Sequence, residues 1–575
     1  MLSFPHKTAL ALLLLLWFSS SLAQPVIDVV VNPANKALKE NILAYLGKLE
    51  ELDEQGLRRL RPTAERQASE AAEALGYYHA QVQTRVTAGK KPTLHITVES
   101  GEPVLLRDVD IRVGGAASEL ASFARLDLEQ LTAGAVLHHG AYENIKSYLQ
   151  QTALRLGFFA GRFTSQLLEV FPDENAADIR LHFDSGQRYL FGQVEFPPDS
   201  YIRHEMLQRM VPFTPGQPYD SVLLARLSQN LQSSGYFENI RVDADHTQSE
   251  GLQVPVRVFL RPVKKRNFGV GLGYSTDIGP RARFDWEQPP INRRGHKLGL
   301  DTEWSDPQQS VSAWYSIPLR QPLTDQLRLV AGHQRERFVD ANSNRNTYAV
   351  QWHKRVGSGW QRVLSVRRSS ERYDYGYRQP GQSSEFLLPG MGFSKLRSDS
   401  PLDPRRGYRL QLNIEGAKQG ALADADVLHV SALARGLITL ADNHRLLGRT
   451  QLGMIATNSY RRIPPSMRFF AGGDQSVRGY GYQSLSPRDE HGNRVGGRYL
   501  LAQSAEYQYS FAAKWRVAAF VDRGKAVDDF NEAMKVGAGI GIRWVSPVGP
   551  LRLDVARAMS DEREWRVHFS MGPEL

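Results

Sequence analysis

Leu75-Gly76-Tyr77-Tyr78 returns as Leu156-Gly157-Phe158-Phe159 and again as Ser234-Gly235-Tyr236-Phe237, the glycines lying 81 and 78 residues apart. Each copy closes a run of helical periodicity and opens an alternating one. A period of roughly 80 residues exceeds the 20–50 of ordinary solenoid repeats. The phrase therefore marks a small α/β domain present three times.

The third copy is the clearest. Tyr189 to Phe196 alternates as a strand does, and Tyr201 to Met210 is helix-like until Pro212, Pro215, Gly216 and Pro218 break it. Asp220-Ser221 offers an N-cap to the apolar run Val222, Leu223, Leu227, Leu231, which Gly235 ends. Strands follow at Tyr236 to Val242 and Gln253 to Leu260, giving the order β-α-α-β-β. The second copy reads as strand Leu105 to Val113, a helical segment near Ser118 to Ala124, helix Tyr142 to Leu156, and strands Ala160 to Val170 and Ile179 to Phe183. The first reads as strand Val26 to Val31, helices Lys36 to Leu46 and Pro62 to Leu75, and strands Tyr78 to Val86 and Leu94 to Val98. Glu99-Ser100-Gly101-Glu102 and Asp184-Ser185-Gly186-Gln187 echo one another at the junctions. Open sheets of this order leave strand edges with unpaired backbone groups, which suit an extended polypeptide.

From Asn267 onward the helical period disappears and a period of two takes over. Phe268, Val270, Leu272 and Tyr274 oppose Gly269, Gly271 and Gly273; Tyr408, Leu410, Leu412 and Ile414 oppose Arg409, Gln411, Asn413 and Glu415. Val536, Ala538, Ile540, Ile542 and Trp544 oppose Gly537, Gly539, Gly541 and Arg543, and Trp565, Val567, Phe569 and Met571 oppose Arg566, His568 and Ser570. Aromatic-rich apolar faces set against charged or glycine faces fit a transmembrane barrel better than a wet sandwich. At ~19 residues per strand and connection, this half makes about 16 antiparallel strands.

The N-terminus fits that compartment. His6 and Lys7 precede the apolar stretch Ala9 to Phe18, and Ser21-Leu22-Ala23 supplies small residues before a cut at Gln24. The apolar core is too short for a spanning helix. The 575 residues include no cysteine, which removes disulfides, thiolate nucleophiles and cysteine metal sites and suits a bacterial envelope protein. The net charge of +10 is scattered among acidic residues, so lumen and lipid headgroups account for it rather than nucleic acid. The expected division is 1–23 leader, 24–100, 101–186 and 187–264 repeats, and 265–575 barrel.

The β-α-α-β-β unit with its terminal Gly-aromatic pair resembles the polypeptide-transport-associated (POTRA) domain. Three barrel motifs extend the resemblance: Arg468-Phe469-Phe470-Ala471-Gly472-Gly473 with Ser476-Val477-Arg478-Gly479-Tyr480, Ala518 to Gly524, and Gly537 to Asp554. They are similar to the sixth-loop tip, the Phe-x-Asp-x-Gly strand and the penultimate hairpin of the POTRA-plus-barrel outer-membrane insertases and secretion pores. Three repeats and the ending Phe569-Ser570-Met571-Gly572-Pro573-Glu574-Leu575 narrow this to TamA-type subunits of translocation and assembly modules. That resemblance implies a Gram-negative outer membrane with the repeats in the periplasm. It also implies a TamB-like periplasm-spanning partner, and a role in inserting outer-membrane proteins such as autotransporters or in moving envelope lipid. A passive pore or receptor with spacer domains is the alternative.

Counting by twos points Glu506 and Asp522 into the lumen, where two carboxylates need a cation. Arg478, whose planar fork suits carboxylates, is the candidate, and the resemblance implies the same lock, with Arg478-Gly479-Tyr480 folded inside the barrel. A second site lies where the barrel closes. Asn267 to Ser275 is expected to pair with Trp565 to Gly572, and the resemblance implies that Phe569 takes the aromatic role found at the end of outer-membrane barrels. Inward Gly269, Gly271 and Gly273 supply no packing there, and Pro573 after Gly572 cannot donate to a ladder. A weak, laterally opening seam follows, unless those glycines make room for the sixth loop. Enzyme motifs are missing: no nucleophile elbow, phosphate loop or zinc helix occurs. His204-Glu205 reads as a surface pair, His138-His139 as a loop, and Asp424 with Asp426 lacks further calcium ligands, so no cofactor or metal is expected.

Overall fold

Helical and alternating periods become three small sheets of one design and a closed barrel. The computed structural model describes residues 26–47, 54–88, 92–263, 266–288, 290–375, 381–529, 531–547, 549–561 and 564–572. The expected leader and Pro573 lie outside the described residues.

The first domain contains β1 (Val26–Asn32), α1 (Lys36–Leu46), α2 (Glu54–Glu73), β2 (Gln81–Thr87) and β3 (Thr93–Glu99). Its last strand is central, parallel to β1 and antiparallel to β2. The Asn35 side chain accepts from Leu38 N at 3.1 Å to start α1. Leu38, Ile42 and Leu57 then bury against Leu94, Ile96 and Val98. Helix α2 does not begin at Pro62, as expected, but at Glu54. Proline forfeits one backbone bond there, while the buried stripe Leu57, Ala64, Ala68 and Ala71 runs across it.

The second domain repeats the order with β4 (Leu105–Gly114), α3 (Ala121–Ala124), α4 (His139–Leu156), β5 (Arg162–Phe171) and β6 (Ala176–Asp184), as sheet β4-β6-β5. The His138-His139 pair is not a loop. His138 caps α4, its Nδ1 accepting from Ala141 N at 3.1 Å, and His139 is the first residue of the helix. The third domain has β7 (Leu190–Glu195), α5 (His204–Gln208), α6 (Ser221–Ser233), β8 (Phe237–Ala244) and β9 (Gln253–Pro262), as sheet β7-β9-β8.

The repeated phrase forms the joints. Tyr78 Oη lies 2.7 Å from His139 Nε2. The Phe159 ring meets Tyr189, Tyr219 and His246 at 5.2, 5.0 and 4.4 Å. Tyr236 Oη donates to Gly295 O at 2.8 Å. Gly157 has φ +84° and no room, since an added Cβ would lie 2.7 Å from Tyr219 Cβ. Gly157→Ala is therefore expected to loosen this joint by about 1–2 kcal/mol. Limited proteolysis near residue 157 should accelerate, with the heat resistance of the barrel unchanged; wild-type cleavage rates would refute the joint.

The barrel runs β10 (Asn267–Ser275), β11 (Gly279–Gln288), β12 (Lys297–Ser305), β13 (Gln308–Pro318), β14 (Asp325–Arg337), β15 (Ala341–Arg355), β16 (Gln361–Tyr375) and β17 (Gln382–Ser398). It continues through β18 (Arg406–Ala417), β19 (Val427–Leu440), β20 (His444–Thr457), β21 (Tyr499–Ala512), β22 (Trp515–Val527), β23 (Lys535–Ser546), β24 (Gly549–Ala558) and β25 (Trp565–Met571). These 16 antiparallel strands close on themselves. Val270 and Leu272 are each 75% exposed, and Ile540 and Val567 are exposed as well, so the apolar faces point outward. The long loop 458–498 turns inward: Ile463 and Met467 pack with Phe386 and Leu388, and Val477, Tyr480 and Leu485 with Ala526 and Ala558.

Candidate functional site

Alternation on three strands aims Glu506, Asp522 and Asp554 at one point of the lumen, and Arg478 fills it. Arg478 Nε donates to Asp522 Oδ2 at 2.8 Å and Nη2 to Oδ1 at 3.0 Å, a bidentate fork. Its Nη1 reaches Glu506 Oε2 at 2.8 Å and Asp554 Oδ2 at 3.0 Å, and Nη2 reaches Ser504 Oγ at 3.2 Å. The guanidinium carbon sits 3.3 Å from the Phe520 ring centroid. Arg543 bridges Glu506 and Asp554 from the other side. The glycines of β23 make this approach feasible, since a Cβ on Gly537 would lie 1.9 Å from Arg478 O.

The neighbours of Arg478 fix the loop further. Gly479 N donates to His568 Nε2 on β25 at 2.9 Å, which requires an unprotonated nitrogen there. Tyr480 is buried, with Oη 3.4 Å from Val536 O. Arg468 donates to the carbonyls of Ile463, Val495 and Tyr460 and so ties both arms of the loop together. The structure thus brings Arg478 to both expected carboxylates. Asp554, Ser504 and Phe520 were not anticipated as its partners. Inward alternation already marked Arg543 and His568, but only cross-strand register says which inward groups meet.

At the seam, β10 and β25 share one registered pair among the described residues, Ser275↔Ser570. Beside it Thr276 N donates to Phe569 O at 3.0 Å, Phe569 N donates to Thr276 Oγ1 at 3.2 Å, and the Tyr274 and Phe569 rings lie 5.9 Å apart. The expected pairing of Asn267–Ser275 with Trp565–Gly572 is therefore corrected to its far end, and Gly271 does not face Ser570. The stagger of a tilted, closed sheet explains this: β25 is held on β24 from Leu551↔Met571 to Arg557↔Trp565 and reaches only the end of β10. Gly572 N likewise donates to Pro550 O, on the β24 side. Nor do the glycines of β10 make room for the sixth loop. A Cβ on Gly269 would lie 2.2 Å from Asp285 Oδ2, and Gly271 and Gly273 face Arg283 and Arg281, all on β11.

The turn after β10 does touch the loop, for Asp277 accepts from Asp474 N. Burial, and then the Asp474 carboxylate, push the Asp277 carboxyl up to about 7. Elsewhere, His204 is an exposed helix residue whose Nε2 lies 3.0 Å from Pro197 O. Asp424 accepts from Glu385 N, and Asp426 from Gln419 N and Lys418.

The Omp85 superfamily domain matches residues 264–574. The chain belongs to the Omp85 superfamily. A POTRA domain described as TamA domain 1 matches residues 28–100, and a POTRA domain described as surface antigen variable number repeat matches 189–261. The chain is 25% identical over 430 residues to the outer membrane protein assembly factor BamA of Nitratidesulfovibrio vulgaris, covering 70% of this chain and 53% of that protein. It is 22% identical over 553 residues to BamA of Neisseria meningitidis, covering 84% and 68%. BamA of Neorickettsia risticii matches at 21% over 480 residues, 77% of this chain and 63% of that one, so the chain spans less than two thirds of the length of two of these relatives. The crystal structure of Haemophilus ducreyi BamA lacking POTRA domains 1–3 superposes with TM-score 0.69 at 16% identity, over 82% of this chain and 99% of that one. It shares the fold.

Proposed function

We propose that this protein sits in a Gram-negative outer membrane, POTRA domains in the periplasm, and assists insertion or secretion of β-rich clients as part of a translocation and assembly module. One observation carries the reading. The seam holds one registered pair, and along Asn267 to Tyr274 the strand has no registered partner on that side among the described residues. Such an edge offers backbone donors and acceptors to a client strand. The sixth loop, clasped by Arg478, is held to β21, β22 and β24 and, through Gly479 N, to His568 of β25 at the seam. The assembly-factor names of the relatives support this class of activity, and the TamA-type match of the first domain supports the module.

The first domain is the module's reach toward a TamB-like partner, with β1 and β2 as the edges of its sheet. Deleting residues 24–99 from the otherwise full chain is expected to abolish co-purification of that partner while the barrel stays heat-resistant. Undiminished co-purification rejects the placement. Autotransporters and envelope lipid are the two cargo classes to compare in the same cells.

A further inference from the structure

The outward faces of β15 to β18 carry a feature that neither the clasp nor the seam uses. Lys354 and Arg362 stand directly opposite each other across β15 and β16. Like charges in that position repel unless an anion sits with them. Neither has an ion-pair partner among the described residues. Asp325, in register with Lys354 on the other side, accepts from the Trp352 indole N–H and offsets one of these charges, so that with Lys395 the patch keeps a net charge of +2. Both cations lie over Trp352, Lys354 Nζ at 5.8 Å and Arg362 Cζ at 5.2 Å from the ring centroid. Lys395 Nζ adds a third cation nearby, 5.7 Å from the Trp360 ring and 5.9 Å from Tyr408. All three are near the strand ends on the side of the barrel where β10 begins, which is the rim joined by the third domain.

From Trp352 an apolar groove of about 430 Å³ runs obliquely across the same wall, lined by Leu327, Val350, Val366, Met391 and Leu428. Its cause is local. The β17–β18 ladder stops at Gly390↔Glu415, next to Pro389, which has no N–H to extend it. One step beyond, Gly416 puts no side chain opposite Leu428.

From these cations and this groove we infer a site for one anionic glycerophospholipid of the periplasmic leaflet. Its phosphate sits between Lys354 and Arg362, Trp352 marks the headgroup level, and an acyl chain lies in the groove. The physics is general: aromatic rings prefer the membrane interface, and basic side chains there attract anionic lipid. The inference rests on the membrane-barrel reading, and the test separates the two.

The full chain in detergent is offered equal phosphatidylglycerol and phosphatidylethanolamine, and lipid retained is read by native mass spectrometry. Wild type is expected to retain phosphatidylglycerol selectively, and inorganic phosphate should not displace it. Lys354→Gln with Arg362→Gln should weaken retention roughly 30-fold, at one interfacial charge's worth per residue. Gly416→Leu, which fills the groove but keeps the cations, should weaken it too, whereas the exposed Lys514→Gln should not. Equal retention of both lipids, wild-type retention in the double variant or in Gly416→Leu, or displacement by phosphate overturns the site. Heat-resistant migration after insertion into vesicles is scored in parallel for every variant. Its absence in wild type would refute the membrane barrel itself.

Discussion

Arg478→Ala is expected to destabilise the barrel by about 3–5 kcal/mol, the usual cost of breaking one side of a buried ion pair. The loss concentrates at Asp522, which is fully buried and takes three of its hydrogen bonds from Arg478, two from the guanidinium and one from the backbone N–H. Glu506 and Asp554 fare better because Arg543 still holds both. Heat-modifiable migration reads the effect directly, as a fall in the temperature at which the folded band disappears. Arg478→Lys keeps a charge but not the fork, so it should fall between wild type and alanine. Adding Asp522→Asn to Arg478→Ala should recover part of the loss, because it removes the orphaned charge. Wild-type melting in both single variants excludes the clasp.

Much of this site was legible in the sequence because side-chain direction in a strand follows a period of two. That rule alone sends Glu506 and Asp522 inward and Val517 and Val521 outward, and the exposures agree. It cannot say that Asp554 on β24 comes level with Glu506 on β21. Stagger accumulates from strand to strand around the barrel and is set by the tilt of the whole sheet. The same blind spot hides the seam register, in which β25 meets β10 only at Ser275 among the described residues. In the domains, the strand and helix types followed from periodicity, but α2 ran through Pro62 and His138 became a cap. In both places tertiary packing and a single side-chain hydrogen bond outweighed local propensity.

Locking the corrected seam gives the other large effect. Ser275→Cys with Ser570→Cys places thiols on a pair whose neighbours, Thr276 and Phe569, take up the hydrogen bonds. Such a non-hydrogen-bonded pair has Cα atoms about 4.5 Å apart, within the reach of a disulfide. The natural chain has no cysteine, so the new bond has no competitor. Oxidation is expected to abolish client assembly nearly completely, and reduction to restore it, while the barrel remains folded in both states. A matched lock inside the wall, Ala313→Cys with Ala331→Cys on β13 and β14, controls for stiffening alone and should leave assembly intact. The contrast matters because β13 and β14 stay in register from Gln308↔Glu336 to Pro318↔Gln326, and a further crosslink there closes nothing that was open. At the seam the same bond fixes a junction where, among the described residues, two edges meet by a single pair. Full activity with the seam oxidised would remove lateral opening from the mechanism and leave the domain edges to carry the clients alone.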